Sequence, residues 1–349
     1  MNKNKQDQRS GDNSTNIQAG SITIQTGLTY NDVKEIAEDV FKNNFLIMTG
    51  QAKLTAEQRA NDLIENFLNR LKQENPSGLE TAKDPDMQIA LFSAQKSYAR
   101  YGHEELRNLL VDLLIKRTQT SDNDLKKIVL NEALEVAPKL TVKQLNSISI
   151  RFLIVYSKND AVNSIESFNT YLNKYLLPFC SYIANEQSDY QHIEYAGCGT
   201  VGVLFNDIYA AFKNNYAGIL SKGFDMSSLG QLQLTIEQQK QLIVKCLRDS
   251  TKYQINAIND MEIEAQGKNL GLNDNLIPKV KELQNSNLIT ADEFEHILVN
   301  VDVRFKDLLK IWRDTGLGRL QLTTVGIALA HANIKRMINE DLDLGIWIK

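Results

Sequence analysis

A chain of 349 residues exceeds the size at which one hydrophobic core usually stops growing, so it holds one large or two medium domains and can bury a sizeable core. Apolar residues at 42% and charged residues at 23% exclude wholesale disorder. A net charge of −4 excludes the broad positive field that gathers around phosphate backbones, so nucleic acid is not the default partner.

The opening residues MNKNKQDQRS carry lysines but no apolar run behind them, so they are not a secretory signal. The next stretch, SGDNSTNIQAGSITIQTG at 10–27, holds a single charge, Asp12. Within it Asn16-Ile17-Gln18-Ala19-Gly20 and Thr23-Ile24-Gln25-Thr26-Gly27 repeat one phrase, x-Ile-Gln-small-Gly, seven residues apart. Ile, Thr and Gln suit a pleated strand and Gly permits a turn of either hand. Two strands this short bury too little to be stable alone. Stacked against copies in sister chains, their backbones find partners and their Asn and Gln side chains form ladders, so Ile17, Gln18, Gly20, Ile22, Ile24, Gln25 and Gly27 are the candidate oligomerisation residues. The pairing is either with the same leader on sister copies or with a similar leader on a partner protein.

From Leu28 the pattern turns helical. Thr29 caps a helix with Asp32 in its first turn and Val33, Ile36, Ala37, Val40 and Phe41 on one face. Thr55 with Gln58 forms a capping box for a second helix that Pro76, Ser77 and Gly78 stop. Further helices are predicted at 86–100, 104–117, 122–137 with Ser121 as cap, and 142–156. The short breaks between them suit antiparallel neighbours, although no fixed repeat of 30 to 45 residues emerges. A long helix over 160–188 is expected to bend near Pro178. Another is expected to run from Thr235, boxed by Gln238, to 266, where GKNLGLNDN marks a boundary. Residues 273–349 read helix, helix, helix, short strand, helix, short strand, with a capping box from Thr290 to Glu293. The apolar windows are interrupted by Arg151 and Asp207 and fall short of the roughly 18 residues a membrane span needs.

The fold class expected is therefore mainly α: a leader at 1–28, a helical domain at 29–266 and a winged-helix-like segment at 273–349.

Two motifs invite chemistry. Gly197, Gly199 and Gly202 in GCGTVG match the dinucleotide fingerprint, whose glycines let backbone approach a pyrophosphate. That site requires a strand before it, a helix after it and an acid ending the next strand; HIEYA, VLFNDIYAAF and Asp225 are the candidates. A close-packed turn is the alternative. Around GRLQLTTVGIALAHANIKR, a strand running into an apolar helix resembles the junction near the wing of a winged helix. The bases Lys306, Lys310, Arg313 and Arg319 are diluted by Asp307 and Asp314, which favours packing or protein contact over DNA.

His103, His192, His296 and His331 show no ligand spacing, and Cys180, Cys198 and Cys246 no paired one. No metal and no cofactor is expected, the chain leans toward being non-enzymatic, and the unpaired cysteines suit a reducing, cytoplasmic setting.

GDNSTNIQAGSITIQTG resembles the Asn/Gln/Gly-rich leaders that precede helical domains in bacterial conflict and signalling proteins and, more loosely, the β-solenoid amyloid signalling motifs of immune receptors. The remainder, through AGCGTVG, LSKGF and LTTVGIALAHANIKR, is similar to an uncharacterised family of bacterial helical proteins. The resemblance implies a homo-oligomer in stress or anti-phage signalling, turned on by clustering, and carries no active site across.

Overall fold

Thr29 and Asp32 cap each other at the start of α1 (Tyr30–Asn44), the Thr29 amide donating to Asp32 Oδ2 at 2.7 Å and the Asp32 amide to Thr29 Oγ1 at 3.3 Å. The computed structural model in which this is seen describes residues 27–44, 49–120 and 124–349. α2 (Gly50–Glu74) begins earlier than the predicted capping box: the Thr55 hydroxyl donates one turn back to the Gln51 carbonyl at 3.0 Å, so Thr55 is an interior residue. A 3-10 stretch, Pro76–Lys83, follows, and α3 (Pro85–Tyr101) runs from the Asp84 cap to Gly102, whose φ of 69° ends it. α4 (Glu104–Thr118) and α5 (Leu125–Val136) come next; the cap of α5 is Asp124, not Ser121, which lies outside the described residues.

α6 (Val142–Arg151) is boxed by Thr141 and Gln144 and passes into a π-turn at Phe152–Tyr156. α7 (Ile165–Tyr171) and α8 (Leu177–Cys180) are likewise joined through a π-turn, Leu172–Leu176. The long helix expected over 160–188 thus runs only over 165–180, and its ladder widens into the π-turn just before Pro178, which has no N–H for the carbonyl one turn back. α9 (Gln187–Tyr195), β1 (Gly199–Val201) and α10 (Ile208–Tyr216) follow.

The single helix expected from Thr235 to 266 is instead two helices on either side of a β-hairpin. α11 (Ile236–Leu242) gives way at the β-branched pair Ile243 and Val244 to β2 (Ile243–Lys245), which turns back as β3 (Tyr253–Ile255) before α12 (Asp260–Asn269). Lys245 Nζ lies 4.0 Å from the centre of the Tyr253 ring opposite it, a cross-strand pair that holds the hairpin. α13 (Leu276–Ser286), α14 (Ala291–Val301), α15 (Arg304–Asp314), β4 (Leu320–Leu322) and α16 (Thr324–Ile338) complete the order. The architecture is mainly α, with two small antiparallel sheets among the described residues.

One large core joins residues from α1 through α10 with others from α14 through α16, while a second, around Phe224, Leu242, Ile255, Ile263 and Val280, is built between them. The division of the apolar interior thus differs from the expected boundary at 266–273, which falls inside the second core. The C-terminal segment does not stand apart as a winged helix either. β4 pairs with β1, Gly199 opposite Leu322 and Val201 opposite Leu320, leaving no wing hairpin of its own. α16 is buried on every side from Val325 to Ile334 and packs on α4, α5 and α6, so an apolar helix that resembled a wing neighbour is the centre of the main core.

The α6–α16 contact carries polar groups. Asn333 Nδ2 donates to Asn146 Oδ1 at 3.1 Å and to Ser149 Oγ at 2.9 Å, Asn146 Nδ2 donates to the Tyr182 carbonyl at 3.1 Å, and Arg336 Nη2 donates to Asn333 Oδ1 at 2.7 Å. A fully bonded seam of this kind fixes how the two helices slide and rotate against each other.

Candidate functional site

The GCGTVG stretch begins as a helix end. Ala196 caps α9, and the Gly197 amide donates to Glu194 O at 2.9 Å while the Cys198 amide reaches Ile193 O at 3.0 Å. With Gly197 at φ 76°, this is a Schellman motif, and glycine is there because a Cβ disfavours that backbone. HIEYA, which a dinucleotide site would need as a strand, is the end of α9. Gly199 lies in β1, where a Cβ would meet the Gln321 carbonyl at 2.8 Å, and the Gly202 amide donates to Arg319 O at 3.1 Å. Of the three, Gly199 is the one at which a close approach excludes a Cβ, while Gly197 serves the left-handed helix end with open space beside it. Across from them a Cβ on Gly326 would lie 1.9 Å from the Cys198 carbonyl, and the Thr323 hydroxyl donates to Gly197 O at 2.6 Å, so the strap is clamped onto the start of α16.

The strap then lifts into a loop at 202–207 whose tip faces solvent. Val203 is 94% exposed, Leu204 68% and Phe205 40%, with Tyr195 at 87% before them. Apolar side chains so exposed would ordinarily sit on a mobile loop, but this one is held from below. The Asn206 amide donates to Gly318 O at 2.8 Å, Trp312 Nε1 donates to Asn206 O at 2.7 Å, and Arg151 Nη2 donates to Asn206 Oδ1. Arg151 Nη1 also reaches Gly318 O at 3.3 Å, and the guanidinium lies 5.2 Å from the centre of the buried Trp312 ring. A Cβ on Gly318 would strike the Phe205 ring and the Trp312 carbonyl, so glycine is required for the two segments to close.

Arg151 is almost wholly buried and meets no carboxylate among the described residues; burial pulls its pKa down to about 10, which still leaves it charged at neutral pH. A carbonyl, an amide oxygen and a ring face stand in for a counter-ion. It leaves α6 at the residue before the π-turn, and such insertions re-aim side chains at functional positions. In the sequence Arg151 served only to interrupt an apolar run; a lone base inside SISIRFLIVY was the available signal. Asn206 and Trp312 carried none, because their roles arise from segments more than 100 residues apart.

Beside the strap lies a groove of about 450 Å³ between α3 and α5, closed by Ala196, Gly197 and Val325. Ile89, Ala90, Leu134 and Val136 form its apolar lining, and Glu132 and Glu135 stand on its α5 side. Neither glutamate has an ion-pair partner among the described residues. At the mouth Asp86 is engaged by Arg117 and accepts from Asn131 Nδ2 at 3.0 Å.

The remaining candidates fall into structural places. Ile17, Gln18, Gly20, Ile22, Ile24 and Gln25 lie outside the described residues; Gly27, with φ 137°, is inside them and abuts Glu80, whose Oε1 accepts from the Leu28 amide at 2.6 Å. The three cysteines are buried and free, and burial pushes the Cys180 and Cys198 thiols up to about 12, which disarms them as nucleophiles. His331 is wedged edge-on between Phe152 and Trp347, ring centres 4.7 and 4.9 Å away, and burial lowers its pKa to about 4. Among the described residues no group of three or more His, Cys, Asp or Glu could hold a metal ion, and no helix is long and apolar enough to cross a membrane. Of the basic residues on and after α15, Arg313 pairs with Glu295 and Arg319 covers Phe205.

A family model matches residues 27–348, and the chain belongs to that family, an uncharacterised one. The match begins at Gly27, so nearly all of the leader lies outside it. No curated protein and no solved structure matches the chain.

Proposed function

We propose that this chain is a self-assembling, non-enzymatic interaction protein of bacterial stress or anti-phage defence, whose leader pairs between copies or with a similar leader on a partner protein. The observation that carries the reading is the doubled phrase x-Ile-Gln-small-Gly within a stretch that holds one charge, too short to be stable alone and able to stack. The body supports it. Gly27 and Leu28 are tied to Glu80, so pairing at 10–27 draws the bodies together with no long linker between. Val203, Leu204 and Phe205, on a loop anchored at Gly202 and Asn206, then offer the apolar anchor that protein contacts concentrate their energy on. Free, buried thiols suit a reducing compartment and support a cytoplasmic location.

Nucleotide binding at Gly197, Gly199 and Gly202 has lost the strand it needs, and DNA reading by the C-terminal segment has lost its wing. The test is the native mass of the full chain and of a variant lacking residues 1–26, across protein concentration. Oligomers that dissociate on truncation, with the helical circular dichroism unchanged, are expected; a monomer at every concentration in both would overturn the proposal.

A further inference from the structure

The α3–α5 groove has the chemistry of a receptor for a basic segment. Its floor is apolar, its α5 side presents two carboxylates with no ion-pair partner among the described residues, and Ile89 and Ile128 stand 63% and 56% exposed on the two helices that frame it. Leu125, Ile128, Glu132 and Glu135 fall at spacings of three and four along α5, so one stripe runs from apolar to acidic. The same chain carries a complement. Lys3, Lys5 and Arg9 give residues 1–9 three bases against one acid, Asp7, in a protein whose net charge is otherwise negative. The point of attachment is close in sequence terms: Gly27 rests on Glu80 of the 3-10 stretch that leads straight into α3, the helix whose first turns line the groove.

We infer that the basic start of the leader, residues 1–9, docks in the α3–α5 groove of its own subunit, with Lys3 and Lys5 meeting Glu132 and Glu135. The 18 residues from Arg9 to Gly27 span up to about 60 Å when extended, more than a helix pair requires. A tether of this length keeps the segment at a millimolar effective concentration, so modest affinity is enough. The pairs are solvent-exposed ones, each contributing little and weakening with salt, and the apolar floor supplies the rest. Residues 10–27 stay available for pairing between copies, so this inference and the assembly proposal stand or fall separately.

A zero-length carbodiimide cross-link of the full chain tests it, made on a mixture of isotopically heavy and light protein and mapped by mass spectrometry. Amide links from Lys3 or Lys5 to Glu132 or Glu135 are expected in heavy–heavy and light–light form, with yield falling as salt is raised. The Lys34–Glu65 pair, 2.8 Å apart, is the internal control for folded protein and for coupling. Formation of the control link without the leader links would overturn the docking. Heavy–light hybrids at the groove would overturn docking within one subunit and assign the groove to a second copy's leader.

Discussion

The α6–α16 seam and the 202–207 loop invert the usual placement of residues in opposite directions. In the seam, Asn146, Ser149 and Asn333 are buried amid an apolar core, and each is bonded. In the loop, Val203, Leu204 and Phe205 are exposed above a buried base of Arg151 and Trp312. A polar group inside a core constrains helix register, since any slip orphans its donors. An apolar group outside buries little in its own subunit, as Val203 and Leu204 do here, and has that area available for a partner. The difference separates residues that serve the fold from residues free to serve contact.

Removing the base of the loop should have the largest effect. Trp312→Ala takes out a buried indole, its bond to Asn206 and the ring face beneath Arg151, and is expected to lower stability by about 3–5 kcal/mol, read as a shift in the urea midpoint. Next comes acid. His331 is held neutral in the fold with a pKa near 4 against an ordinary 6.5, so the unfolded chain takes up a proton first as pH falls. Stability should therefore decline between about pH 6.5 and 4, by roughly 3 kcal/mol at most, and His331→Phe should flatten that slope. In the seam, Asn333→Ala leaves Asn146, Ser149 and Arg336 without a common partner, and a loss of about 2 kcal/mol is expected. Were that variant neutral, the seam would be no register device and the contrast would fail. The smallest change in stability, within about 0.5 kcal/mol, is expected for Leu204→Asp. The same substitution should weaken self-association measured by native mass; unaltered association would remove the loop from the contact surface.

Much of the helical text was legible locally. The capping boxes at Thr235 and Thr290 and the stop at Pro76 depend on residues three or four apart, and there the sequence and the helices agree. Errors arose where a local signal had two readings. Thr55 with Gln58 has the spacing of a capping box, yet the helix extends back to Gly50 and the Thr55 hydroxyl bonds the Gln51 carbonyl within it. Ile243 and Val244 fit a helix by periodicity and a strand by branching, and only the hairpin partner at Tyr253–Ile255 decides between them. Gly197, Gly199 and Gly202 matched a motif whose meaning lies in what precedes it, and a helix precedes it.

The sequence by itself determined that the chain is mainly α, where most helices start and stop, and that a low-charge doubled phrase precedes Leu28, because caps, turns and periodicity act over a few residues. The tertiary structure decided that α16 is the central helix, that β4 crosses to β1, and that Arg151, Asn206 and Trp312 meet beneath an apolar loop. Those pairings join segments from 55 to more than 100 residues apart, and their energy comes from burial and hydrogen bonds that exist only once the chain has closed on itself.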